Sequence, residues 1–86
     1  MNKVITEARV ILCQQLAEIA RANNITQEMI AERTGMKQES ISRMLRGKFS
    51  PRLDSLLLIC RAVDALILLE DKNGNSEMEK VMREVK

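Results

Sequence analysis

Lys37, Gln38, Glu39, Ser42 and Arg43 fall within seven consecutive residues, and their side chains carry the donors and acceptors that match base edges in a DNA major groove. An arginine such as Arg43 suits a guanine, a glutamine such as Gln38 an adenine, and a glutamate such as Glu39 the amino group of a cytosine. Glu39 equally suits a different task, orienting Arg43 one helical turn further on. Arg46, Lys48 and Arg52 follow at once as candidates for phosphate contacts. Between Lys37 and Arg52 there are five basic residues against Glu39 alone, a net +4, while the whole chain carries only +2. The remainder is therefore mildly acidic, and the basic character is concentrated where a polyanion would lie.

The elements needed to position these groups are legible around them. Thr26 is a good helix N-cap, with Gln27 and Glu28 in the first turn behind it. Gln27, at that helix N-terminus, is placed to bond a phosphate with help from the helix dipole. Ile30 and Ala31 face inward, and Ala31 is small enough for a second helix to cross close by. Gly35 is free to take a left-handed conformation, so it ends the helix and begins a turn that Met36 plugs. A second helix over 37–46 then buries Ile41, Met44 and Leu45, turns the polar set outward, and closes at Gly47. Ser40 is expected to pack against the preceding helix rather than read a base.

The series Ile25-Thr26-Gln27, Ile30-Ala31, Gly35-Met36, Ser40-Ile41-Ser42-Arg43 and Gly47, followed by Pro51 and the leucine-rich stretch 53–63, resembles the helix-turn-helix of the Cro/cI repressor family, also called Xre-type or lambda-repressor-like. The resemblance covers roughly 12–63. It implies an all-α, compact domain of four to five helices that binds double-stranded DNA as a transcriptional regulator, with the helix 37–46 reading a pseudo-palindromic site. The chain departs from the family in one respect. Many members pair an Arg near the end of the first helix with a Glu at the end of the recognition helix, and Ala20 and Leu45 stand at those places. An apolar contact there need not cost stability, because a buried ion pair is expensive to desolvate.

The remaining sequence fills in a frame. Eighty-six residues make one modest domain. Histidine is absent and Phe49 is the sole aromatic residue, so the core is aliphatic and the commonest general base and metal ligand are missing. No nucleophile–base set converges, and an enzyme, a cofactor and a metal site are not expected. Cys13 and Cys60 lack metal-site spacing and suggest reduced thiols in a cytoplasmic protein, with Cys60 on a buried helix face. No apolar run reaches membrane-spanning length, and no signal-peptide pattern opens the chain. After a loose lead-in over 1–5, Thr6 is expected to cap a first helix ending near Ala22, with Ala8, Leu12, Leu16, Ile19 and Ala20 inward; Val10 and Ile11 hint at a second contact surface. Asn23 and Asn24 end it, and Ile25 anchors the loop. Ser50-Pro51 suits the start of a fourth helix that turns Leu53, Leu56, Leu57, Cys60 and Val63 inward and leaves Leu58 as an interface residue.

These features divide the chain into a DNA-binding domain over 6–63 and a dimerisation tail over 64–86. The tail holds an apolar run at 65–70 whose periodicity does not decide between strand and helix. Many family members have a fifth helix about here, and others, including some that resemble HipB-type antitoxins, place a strand that pairs with its copy in a dimer. The strand is favoured, with Asp64 at the reversal. A turn at 71–75 and a capping box at Ser76–Glu79 should lead into a short amphipathic helix with Met78, Val81, Met82 and Val85 on one face. Leu58, Leu66, Ile67, Leu68, Leu69 and that stripe are apolar surface a four-helix core does not absorb, which points to a homodimer. Two alternatives carry weight: an antitoxin that holds both DNA and a toxin protein, and a protein-interaction module that has lost DNA.

Overall fold

In the computed structural model, which describes residues 2–71, four helices follow one another: α1 (Lys3–Ala22), α2 (Gln27–Thr34), α3 (Gln38–Leu45) and α4 (Leu53–Ala62). The chain is all-α over this span, as the resemblance implied. α3 packs on both α1 and α2, and α2 also packs on α4. The core is aliphatic: Leu16 and Ala20 of α1, Ile25, Ile30, Ile41, Met44, Leu45, and Ile59, Cys60, Ala62 and Val63 at the end of α4. Ala20 and Leu45 both belong to it, so buried apolar side chains stand at the places of the family's ion pair. Among the described residues no helix is long and apolar enough to cross a membrane.

Local chemistry explains the boundaries. The Thr26 hydroxyl accepts a 3.1 Å hydrogen bond from the Met29 amide and so caps α2. Asn24 takes φ 58° between α1 and α2, a conformation that asparagine tolerates. Ile25 is buried behind it. α1 begins earlier than its sequence suggests. Asn2, not Thr6, is its N-cap, with its Oδ1 accepting from the Val4 amide at 2.7 Å. Residues 3–5 are helical rather than a loose lead-in, and Thr6 sits in the first turn with its hydroxyl donating to the Asn2 carbonyl. α4 begins later: Arg52 is its N-cap, and Ser50 and Pro51 belong to the connection before it.

Two inward faces are rotated from their expected positions. On α1 the buried residues are Cys13, Leu16 and Ala20, while Ala8, Leu12 and Ile19 are exposed. Arg9 occupies the inward side near the start, and an apolarity count alone passes over it in favour of Ala8. On α4 the inward set is Leu56, Ile59, Cys60 and Val63, a regular i, i+3, i+4, i+7 series. Leu53 and Leu57 are exposed beside Leu58. Residues 65–70 adopt neither helix nor strand in the single chain. The turn at 71–75, apart from Asp71, and the amphipathic helix expected after it, with Met78, Val81, Met82 and Val85, lie outside the described residues.

Candidate nucleic-acid interface

The turn between α2 and α3 sets the angle at which α3 is offered to solvent. Gly35 sits at φ 76° with its amide donating to the Ala31 carbonyl. Nothing lies within 4 Å of where its Cβ would be, so glycine is needed there for backbone freedom alone. Thr34 ties the turn on both sides: its hydroxyl donates to the Ile30 carbonyl at 2.7 Å and accepts from the Met36 amide at 3.1 Å. Met36 is half-buried against the core.

α3 is sharply two-faced. Ile41, Met44 and Leu45 are buried, whereas Lys37, Gln38, Glu39 and Arg43 are exposed and Ser40 and Ser42 half-buried. Lys37 occupies the N-cap without making a side-chain cap. The base-reading candidates therefore share the free side of one helix and its leading end. Among the described residues Glu39 makes no ion pair with Arg43. Arg43 lies instead over the Phe49 ring, 5.7 Å from its centroid, within the range of a cation–π contact. Gln27 is the first residue of α2 and half-buried.

The cations assigned to phosphate are exposed along the segment from α3 to α4. Arg46 is the α3 C-cap, and its Nε donates to the Ser42 carbonyl at 3.3 Å. Lys48 and Arg52 follow in the connection. Gly47 turns that connection at φ 74°, and a Cβ there would meet Val10 Cγ2 of α1 at 3.0 Å. The Lys48 amide donates to the Arg43 carbonyl at 3.0 Å, which closes the end of α3.

Several residues without an assigned site role hold this arrangement together. Arg9 Nη1 donates to the carbonyls of Gly47 at 3.0 Å and Phe49 at 2.8 Å. Arg33 Nη1 donates to the Ala62 carbonyl at 2.6 Å and Asn23 Nδ2 to the Val63 carbonyl at 2.8 Å, so side chains from α2 and the end of α1 converge on the last turn of α4. Asp64, at φ 62°, then turns the chain toward the tail. Each of these bonds spans 29 to 40 residues and ends on a main-chain carbonyl, which carries no side-chain signal in sequence. The one hint is a charged Arg9 on the inward side of α1.

The helix-turn-helix family matches residues 16–65, which take in α2, the turn, α3 and α4 and leave out most of α1. This chain is a helix-turn-helix protein of the Cro/cI type. It is also similar to an uncharacterized HTH-type transcriptional regulator, y4dL, of Sinorhizobium fredii, at 36% identity over 61 residues. That alignment takes in 71% of this chain but 31% of the relative, so the chain spans about a third of that protein's length. No solved structure gives a significant match.

Proposed function

We propose that this Cro/cI-type chain binds double-stranded DNA sequence-specifically and regulates transcription. The observation that carries the reading is α3 itself: a helix buried on one side, fixed by a glycine turn, with Lys37, Gln38, Glu39, Ser42 and Arg43 on the other. The leading end of α3 enters the major groove and base edges are read there. Gln27 on one side, and Arg46, Lys48 and Arg52 on the other, hold phosphates and set the register. Arg43, lying over the Phe49 ring, loses less freedom on being held still than a free arginine, which suits it to a guanine. The test is selection of bound duplexes from a random pool, followed by Arg43→Ala on the selected site. Loss of about 1–3 kcal/mol at one base position, with specificity relaxed there, supports the assignment. Equal weakening on every sequence makes Arg43 a phosphate contact, and no selected sequence at all sinks the reading.

The functional unit is a homodimer built through the tail, reading a pseudo-palindrome with recognition helices about 34 Å apart. Support comes from Leu58, Leu66, Ile67, Leu68 and Leu69, all exposed in the single chain. The same apolar surface favours a second reading, an antitoxin whose tail also holds a toxin protein.

A further inference from the structure

α1 extends well ahead of the segment matched to the family, and the stretch Lys3–Gln15 lies outside that match. This extension reaches the far end of the recognition helix. Val10 lies against Gly47, and Arg9 donates from a single Nη1 to the carbonyls of Gly47 and Phe49. The Nε of Arg9 is buried without a partner of its own. A half-buried guanidinium of this kind is held by its two carbonyl partners, and leaving them unmet costs free energy. The carbonyls it grips flank Lys48, and the ring next to the second one lies under Arg43. A chain of direct contacts thus runs from Arg9 through Phe49 to Arg43, and Arg9 fixes the backbone that presents Lys48.

We propose that Arg9 is a positioning residue of the DNA interface: it fixes the 47–49 turn, and through the Phe49 ring it sets the pose in which Arg43 meets its base. It is distinct from the groups that touch DNA, and sequence discrimination depends on it without its reading a base. The proposal rests on the DNA-binding reading above.

The test compares the full-length wild-type chain, Arg9→Met, Arg9→Lys, Arg43→Ala and the double variant Arg9→Met/Arg43→Ala. Each is titrated with the selected duplex and with an unrelated duplex, and amide exchange is followed without DNA. Arg9→Met should keep its helical circular dichroism and lose at least tenfold in affinity for the selected duplex, with a much smaller loss on the unrelated one. In the Arg43→Ala background the same substitution should cost little more, because the two residues act through one contact chain. Arg9→Lys, which keeps a donor and the charge, should recover most of the loss. A merely stabilising Arg9 predicts otherwise: equal losses on both duplexes, or a loss that adds in full to that of Arg43→Ala, and either result overturns the proposal. If Arg9→Met does not fold, Arg9→Gln, a smaller and uncharged replacement, carries the same comparison. A wild-type chain that binds neither duplex overturns the functional reading itself. Amide exchange separates the two failures: Arg9→Met should speed exchange at Gly47 and Lys48 more than tenfold with α2 unchanged, and an unchanged rate shows that Arg9 does not hold the turn.

Discussion

Gly35 and Gly47 both occupy the left-handed region, yet for different reasons, and the difference is measurable. At Gly35 the space for a Cβ is open, so Gly35→Ala should cost about 1–2 kcal/mol, the penalty of the backbone conformation. At Gly47 the same penalty applies, and the new Cβ also meets Val10 at 3.0–3.2 Å. Gly47→Ala should therefore be the more destabilising in urea denaturation, and Val10→Ala should relieve part of its cost while leaving that of Gly35→Ala untouched. The cysteines make a second test. Burial pushes the thiol of Cys13 above its ordinary value, partly offset by the nearby Arg9 charge, and burial likewise raises Cys60, partly offset by a backbone hydrogen bond. The folded state therefore holds its thiol protons more tightly than the unfolded chain, whose thiols ionise near about 8.5. Their contribution to stability is complete below that pH and is lost as pH climbs through the higher folded values. Between pH 8 and pH 10 the wild type should lose stability more steeply than Cys13→Ala/Cys60→Ala, followed by urea midpoint. The same double variant should bind DNA alike under oxidising and reducing conditions.

At the scale of elements, α2 and α3 were readable from sequence because their determinants are local. Thr26 caps, Gly35 turns, and Ile30, Ile41, Met44 and Leu45 are buried as their spacing implies. Thr26→Ala should accordingly lower stability by about 1 kcal/mol, seen as a shift of the denaturation midpoint with an unchanged slope. α1 and α4 lie where the sequence places them apart from their starts, but the apolar count mistook their inward faces. Both helices carry more Leu and Ile than one core accommodates, so counting finds several plausible stripes and only packing chooses among them. On α1 the choice turned on Arg9, a charged residue that earns its inward place by bonding two carbonyls of a loop some forty residues away. On α4 it turned on Ile59, fully buried where Leu57 was expected. The start of α1 was missed because Asn2 and Thr6 are both competent caps, and the helix extends to the earlier one.

At the scale of the whole molecule, affinity should come from charge and discrimination from side-chain geometry. Removing Lys48 or Arg52 should weaken binding to all duplexes and reduce the salt slope by about one unit each, measured as log affinity against log salt concentration. Sedimentation equilibrium of the full chain and of one ending at Asp64 should show a dimer and a monomer respectively. A full-length monomer at micromolar concentration would remove the tail from the assembly. The bonds from Asn23 and Arg33 to the last carbonyls of α4 bear on that assembly as a joint between the reading head and the tail. If the tail joins two reading heads, such a joint makes the protein a ruler. One extra base pair between half-sites shifts the second by about 3.4 Å and swings it by about 34–36° around the duplex axis. A stiff ruler rejects that duplex, whereas Arg33→Met, with the joint slackened, should accept it with a smaller penalty. Tolerance to spacing would then be set not on the face that meets DNA but by two side chains gripping the far end of the fold.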